Sequence, residues 1–340
     1  MFRLEQIVLH GSEHNRLDGI CLHLGGKNTA VLGCSGSGKT SLLNLLAGYE
    51  QPDAGTLTIE KRPAEEAPAH AGLPLFWVPQ DGGLWGHLDV RSHLQICGPA
   101  QGRTQSGDDE DWRQLAAEFR LDHRLDAFPA ELSAGECSRL SLARALASRA
   151  DVLLLDEPLS HVDPIHRASY WNVLRRRTAA CGTRVIFSSH EPVEVLRTAE
   201  RVICLDGGRV IYSGEVMELY RNPPAAEPGR LLGPLNWFEE MERQRLYAAG
   251  SSLPADRGIR PEQLAVKSLS GLTAPGLELL RTDCCGLYHA SQLRDEAGWE
   301  IEVLHGAMGD IPPSGNRVRV VIAGEQADCV AAGRSEERLS

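Results

Sequence analysis

Eight residues, Gly33-Cys34-Ser35-Gly36-Ser37-Gly38-Lys39-Thr40, constrain this chain more than any other part of it. They fit the pattern G-x-x-x-x-G-K-[ST], in which glycines let backbone N–H groups curl around phosphate oxygens. The following helix adds the positive end of its dipole. The flanks agree: Thr29-Ala30-Val31-Leu32 is short and β-prone, and Ser41-Leu42-Leu43-Asn44-Leu45-Leu46-Ala47 leaves the loop with helical spacing. Strand, glycine loop and helix together form a phosphate-binding unit of an α/β fold. Lys39 is expected to offer a point charge to β- and γ-phosphates, and the Thr40 hydroxyl to ligate Mg²⁺.

A second polar site follows the apolar run Val152-Leu153-Leu154-Leu155, which ends in Asp156-Glu157-Pro158. Carboxylates at the C-terminal edge of a parallel sheet face the ligand crevice. Asp156 is therefore expected to hold Mg²⁺, directly or through water, and Glu157 to polarise an attacking water as general base. Further strands are read at Leu4 to His10, Ile20 to Leu24, Leu57 to Glu60 and Arg184 to Phe187, and helices at Trp112–Phe119, Ser133–Ser148 and around Tyr170–Ala179. Apolar strands alternating with helices predict a parallel sheet covered on both faces. The stretch Gly98–Asp111, with its run Asp108-Asp109-Glu110-Asp111, reads as a solvated loop.

The length of 340 residues suggests two domains. With 42% hydrophobic and 24% charged residues the balance is that of a soluble globular protein. A net charge of −11 argues against nucleic acid as the main partner, which needs clustered Lys and Arg. The N-terminal residues do not read as a signal peptide, and no run approaches the about 20 apolar residues that cross a bilayer. Nine scattered cysteines suit a reducing compartment better than a disulfide framework. Asn222–Gly229 has linker composition, and beyond about Asp256 short strands separated by Gly and Pro turns, such as Arg317–Ile322, predict a small β-barrel tail.

Four more segments occur in the order found in ABC transporter ATPases, which residues 1 to about 220 resemble. Leu132-Ser133-Ala134-Gly135-Glu136 looks like the LSGGQ signature, with Ala for the first Gly and Glu for the final Gln. Gln80 sits where the family has its Q-loop, Ser160-His161-Val162-Asp163 resembles the D-loop, and His190 the switch histidine. The resemblance implies a P-loop NTPase of ABC type: a RecA-like core over 1–225 with a helical subdomain at about 81–146, a linker over 226–255, and an OB-like (TOBE) β-barrel over 256–340. It implies an ATPase using ATP and Mg²⁺, with Gly33–Ser41 binding ATP, Gln80 joining Thr40 and Asp156 at the metal, and Glu157, His190 and Gln80 in catalysis. Ser133, Ala134, Gly135 and Glu136 would bind the ATP of the opposite subunit of a homodimer, with Asp163 in the D-loop. Ser133 also reads as a helix cap, whose exposed N–H groups and dipole favour phosphate.

Two departures accompany the match. The loop His10–Asn15, where the family places an aromatic residue against adenine, contains no Tyr, Phe or Trp, leaving His10 or His14 as weaker substitutes. Cys34 is either a tolerated loop residue or a reactive thiol at a helix N-terminus. Trp85 and Leu88 offer either a contact for a membrane partner or packing within the helical subdomain. Cys284, Cys285 and His289 make a poor metal set, since adjacent cysteines do not easily share one tetrahedral site. Gly258-Ile259-Arg260-Pro261-Glu262 resembles the tail of importer ATPases whose relatives handle oxyanions, iron, polyamines or sugars. The resemblance thus implies a peripheral subunit on the cytoplasmic face of the cell membrane, with permease subunits on separate chains and an extracytoplasmic solute-binding protein. The alternatives are an ABC ATPase acting on nucleic acid or ribosomes, and a regulatory module.

Overall fold

In the computed structural model, which describes residues 2–59, 75–98, 108–269, 275–307 and 311–324, the apolar runs that read as strands are strands. The chain divides into two units, 1–220 and 221–340. The first unit carries an antiparallel sheet of order β2-β1-β4, formed by β1 (Phe2–Leu9), β2 (Leu17–Leu24) and β4 (Ala54–Ile59). Phe2, Leu4, Ile7 and Leu9 of β1 are buried, a period-2 signal that slips between Leu4 and Ile7, the first of two register shifts against β2.

The larger sheet has the order β5-β6-β7-β3-β8-β9, where β3 is Thr29–Leu32, β5 Leu75–Val78, β6 Val152–Asp156, β7 Arg184–Ser188, β8 Arg201–Asp206 and β9 Arg209–Glu215. The expectation of a parallel sheet holds from β5 to β8, but β9 runs antiparallel to β8. The two-residue turn Gly207-Gly208, with positive φ at both positions (50° and 77°), reverses the chain.

Helix α1 (Lys39–Ala47) buries Leu42, Leu43, Leu45 and Leu46 in one cluster with Val31, Leu154, Ile186 and Ile203 of the large sheet and Leu4, Ile7, Leu17 and Ile20 of the small one. The other helices of this unit are α2 (Val90–Cys97), α3 (Asp108–Glu118), α4 (Ala134–Ala147), α5 (Pro164–Cys181), α6 (Pro192–Thr198) and α7 (Val216–Arg221), whose last residue opens the second unit. Trp171 of α5 packs on Phe187 of β7 with ring centroids 4.8 Å apart.

Asp108–Asp111 are not loop: they form the first turn of α3. Asp111 is paired with Arg149 at 3.1 Å and with Arg177. Burial works to raise its pKa, yet the hydrogen bonds from Arg177 and Arg149 prevail and hold it below the usual carboxylate range.

The second unit also corrects an expectation. Residues 226–255 are not a bare linker, for they contain α8 (Ala226–Arg230), the two-residue strand β10 (Asn236–Trp237) and α9 (Glu240–Ala248). Strand β10 pairs with β11 (Gly258–Ile259), and Leu246 of α9 joins the barrel core, which gives this segment apolar surface to bury. Arg260 is buried and donates to the carbonyls of Gly229, Gly233 and Pro234 at 3.0 Å, fixing the same segment.

The tail is an antiparallel sheet of order β12-β16-β13-β14-β15, made of β12 (Leu264–Ser268), β13 (Leu277–Cys284), β14 (Tyr288–Arg294), β15 (Glu300–Gly306) and β16 (Arg317–Ile322). β12 and β15 also approach each other, so the sheet curls into an OB-like, partly open barrel. Its interior is mostly aliphatic, with a polar group at one end. His305 Nε2 pairs with Ser291 Oγ at 2.9 Å, Ser291 with Thr282 Oγ1 at 2.8 Å, and the His289 ring lies 5.5 Å from that of His305.

Candidate functional site

Register places the site. Asp156 of β6 is the partner of Ser188 of β7, and Ser188 is the partner of Val31 of β3. The glycine loop, the Asp156-Glu157 pair and His190 therefore all leave the carboxyl edge of three adjacent strands. α1 starts after Gly38, whose φ of 103° is left-handed and where an added Cβ would sit 2.6 Å from the Arg16 carbonyl oxygen. No side chain caps this helix, so its first N–H groups remain for a ligand. Lys39 is buried, and its ammonium donates to the carbonyls of Gly33 and Cys34 at 2.8 and 3.0 Å, which keeps the charge within the loop. Cys34, Ser35 and Gly36 form the exposed crest, whereas Ser37 is buried with a hydroxyl that has no protein partner.

Thr40 Oγ1 donates to Asp156 Oδ2 at 2.7 Å, which joins two of the three expected metal residues. The other carboxylate oxygen of Asp156 accepts from Ser188 Oγ at 2.5 Å, and Ser188 Oγ accepts from the Glu157 N–H at 2.9 Å. Glu157 has a positive φ of 49°, a left-handed conformation that costs a non-glycine residue about 1–2 kcal/mol. Its carboxylate meets His190 Nε2 at 2.5 Å. Hydrogen bonds thus link Thr40, Asp156, Ser188 and the Glu157 backbone, and the Glu157 carboxylate pairs with His190. These contacts border a cleft of about 140 Å³ lined by Glu157, Ser160, Arg167, Ser188, His190 and Glu191.

The remaining expected residues lie around this group. Gln80 is exposed two residues beyond Val78 of β5, itself the partner of Leu155. Asp163 caps α5, accepting from the Ile165 N–H at 2.9 Å. Ser133 caps α4, and with Ala134 it is exposed, while Gly135 packs near the His161 carbonyl and Glu136 is turned inward and buried. His10 is tied to Asn15 at 2.8 Å and His14 is exposed. Trp85 packs within the unit, stacking on buried His93 at 5.6 Å and lying under Arg144, while staying 40% exposed.

Three contributors escape a motif reading. Ser188 holds both carboxylate residues, and only the strand register reveals this. Arg167 donates to the carbonyls of Ser160 and Val162 and to Glu191, tying the segment before Asp163 to the one after His190. Arg144 of α4 donates to the carbonyls of Gly82 and Gly83 at 2.9 and 2.7 Å, anchoring the loop that follows Gln80.

Fold and site together define an ATP-binding cassette of the P-loop class. The family model for ABC transporters matches residues 21–160. An Fe(3+) ions import ATP-binding protein, FbpC, of Pseudomonas fluorescens is 35% identical over 278 residues, covering 76% of this chain and 76% of that protein. A molybdenum import ATP-binding protein, ModC, of Paramagnetospirillum magneticum is 35% identical over 216 residues, covering 61% of this chain and 58% of that protein. Among solved structures, an ATP-binding subunit of an ABC transporter superposes with a TM-score of 0.58 at 22% identity, over 68% of this chain and 97% of that one. The dimeric cassette MJ0796 in a post-hydrolysis state with ADP and Pi gives 0.54 at 22% identity, over 64% and 99%. The chain belongs to the ABC transporter family, as one of its ATP-hydrolysing subunits.

Proposed function

We propose that this chain hydrolyses ATP to drive solute import through membrane-spanning permease subunits on separate chains, at the cytoplasmic face of the membrane. It acts as a homodimer in which each ATP is held between the Gly33–Ser41 loop of one copy and the Ser133–Gly135 segment of the other. The observation that carries this reading is the chain of polar contacts from Thr40 to His190 beside an uncapped helix N-terminus. The relatives are named for Fe(3+) and molybdenum import, which supports import as the direction and iron or an oxyanion as the cargo class. Delivery by an extracytoplasmic solute-binding protein is part of the same proposal.

Each residue then has a task. Lys39 and the loop N–H groups bind the triphosphate. The oxygens of Thr40, Asp156 and Gln80 suit Mg²⁺, a hard cation that neutralises charge on the β- and γ-phosphate oxygens. Glu157 accepts a proton from the attacking water, and His190, in contact with it, orients that carboxylate and the γ-phosphate. Asp163 fixes the D-loop by capping α5. Replacing Glu157 by Gln is expected to leave ATP binding within about threefold and to slow turnover by about 10²–10⁴-fold, the usual general-base contribution. Normal turnover in that variant, or failure of the chain to co-purify with any membrane subunit, overturns the respective half of the proposal.

A further inference from the structure

The signature segment ends in a carboxylate, Glu136, and the structure shows what that carboxylate does. It occupies the third position of α4 and closes a capping box on Ser133. Glu136 Oε2 accepts from both the Ser133 N–H and Ser133 Oγ at 2.8 Å, and Ser133 Oγ in turn accepts from the Glu136 N–H at 3.2 Å. The other oxygen, Oε1, accepts from Arg124 Nε at 3.2 Å, with His123 Nε2 at 4.0 Å. Glu136 is only 8% exposed. The Ser133 backbone hydrogen bond is the largest of the effects that hold its pKa below the ordinary value; burial opposes it and Arg124 adds to it. At neutral pH the side chain is therefore an anion, one helical turn from the exposed Ser133.

That anion matters because the dimer reading places a polyanion at Ser133. Like charges within the Debye length of about 8 Å at physiological salt repel, and the helix N-terminus that would attract the phosphates is partly spent on Glu136. Arg124 stands on a short 3-10 turn, Asp122–Arg124, outside the motifs, and its charge falls on the one Glu136 oxygen that Ser133 does not use.

We propose that Arg124 is a positioning residue of the signature: by pairing with Glu136 it cancels the carboxylate's charge, so that the triphosphate held by a second copy docks on Ser133. This rests on the sandwich-dimer reading given above. The pairing makes the Gln-to-Glu departure in the signature tolerable, and it makes the Arg124–Glu136 pair, rather than Glu136 alone, the functional equivalent of a neutral residue.

The test uses full-length chains carrying E157Q, which keeps ATP unhydrolysed, with dimerisation followed by sedimentation velocity against ATP concentration. R124A is expected to weaken ATP-driven dimerisation about fivefold per site, hence about 25-fold in the dimer constant, because a two-fold dimer contains two such sites. The loss grows as salt is lowered, and R124K, which keeps the charge, stays within about threefold. In the E136Q background the R124A effect shrinks below about threefold per dimer. Monomer affinity for ATP stays constant across the set, which separates charge cancellation from a folding defect. An undiminished R124A effect in the E136Q background, an R124A chain that dimerises normally, or an E136Q chain that fails to dimerise overturns this proposal alone. If the E157Q parent itself forms no dimer with ATP, the sandwich reading falls and takes the proposal with it.

Discussion

Ser188 offers the sharpest test of the site's architecture. Its side chain is fully buried, with its hydroxyl shared between Asp156 Oδ1 and the Glu157 N–H. Replacing Ser188 by Ala removes a charge-assisted hydrogen bond from Asp156, worth about 1.5–3 kcal/mol, and strands the Glu157 N–H, at about 1–3 kcal/mol. Thr40 still serves the other Asp156 oxygen, so the two losses do not add in full. A destabilisation of about 2–4 kcal/mol is expected, which for a unit of roughly 200 residues lowers Tm by about 4–16 °C. Glu157 also loses the anchor that keeps its left-handed backbone in place. If about 1–2 kcal/mol of that loss reaches the transition state, turnover falls about 5–30-fold. Calorimetry and a phosphate-release assay measure the two effects, and a nucleotide titration should give an affinity within about threefold of the parent, since Lys39 and the glycine loop are untouched. A Tm within 2 °C of the parent together with turnover within about twofold would refute the idea that Ser188 locks the two carboxylate residues.

Two further outcomes are expected. Gly38→Ala places a Cβ against the Arg16 carbonyl in a left-handed conformation, so nucleotide affinity should drop at least about tenfold by fluorescent-nucleotide titration; unchanged affinity would mean that the loop accommodates the side chain. In the second unit, burial depresses the His305 pKa, the Gly306 carbonyl opposes that shift, and His289 reinforces it. The unfolded chain therefore takes up a proton below about pH 6.5 that the folded unit resists, so stability is full above that pH and declines as pH falls. Denaturant titrations at pH 7.5 and 5.5 should show a smaller decline for His305→Gln than for the parent, and equal declines would dismiss the role of His305.

Most of the site was legible because its residues are bound to local patterns. The glycine loop needs its residue types in one order, and Val152–Leu155 is apolar on both faces because both faces are covered. Ser133 announced itself as a cap. What stayed hidden depends on contacts distant in sequence. Asp111 read as part of a solvated run because its partners Arg149 and Arg177 lie far beyond it in the chain. Ser188 and Arg124 have no motif of their own and acquire meaning only from the strand register and from Glu136. The segment 226–255 read as linker from its prolines, yet Leu246 and the buried Arg260 draw it into the barrel unit. β9 was hidden as an antiparallel strand because an apolar run does not declare its direction.

The placement of Gln80 has a mechanical consequence. Asp156, Glu157 and His190 are borne on β6 and β7, each flanked by a neighbour on both sides, so shifting them means breaking two ladders at once. Gln80 hangs from β5, which among the described residues has a single hydrogen-bonded neighbour, and the loop beyond it is clasped from α4 by Arg144. On the proposed roles, the hydrolytic residues thus sit on doubly paired strands, whereas Gln80 leaves an edge strand whose following loop is tied to α4, the part of the site that is cheaper to displace.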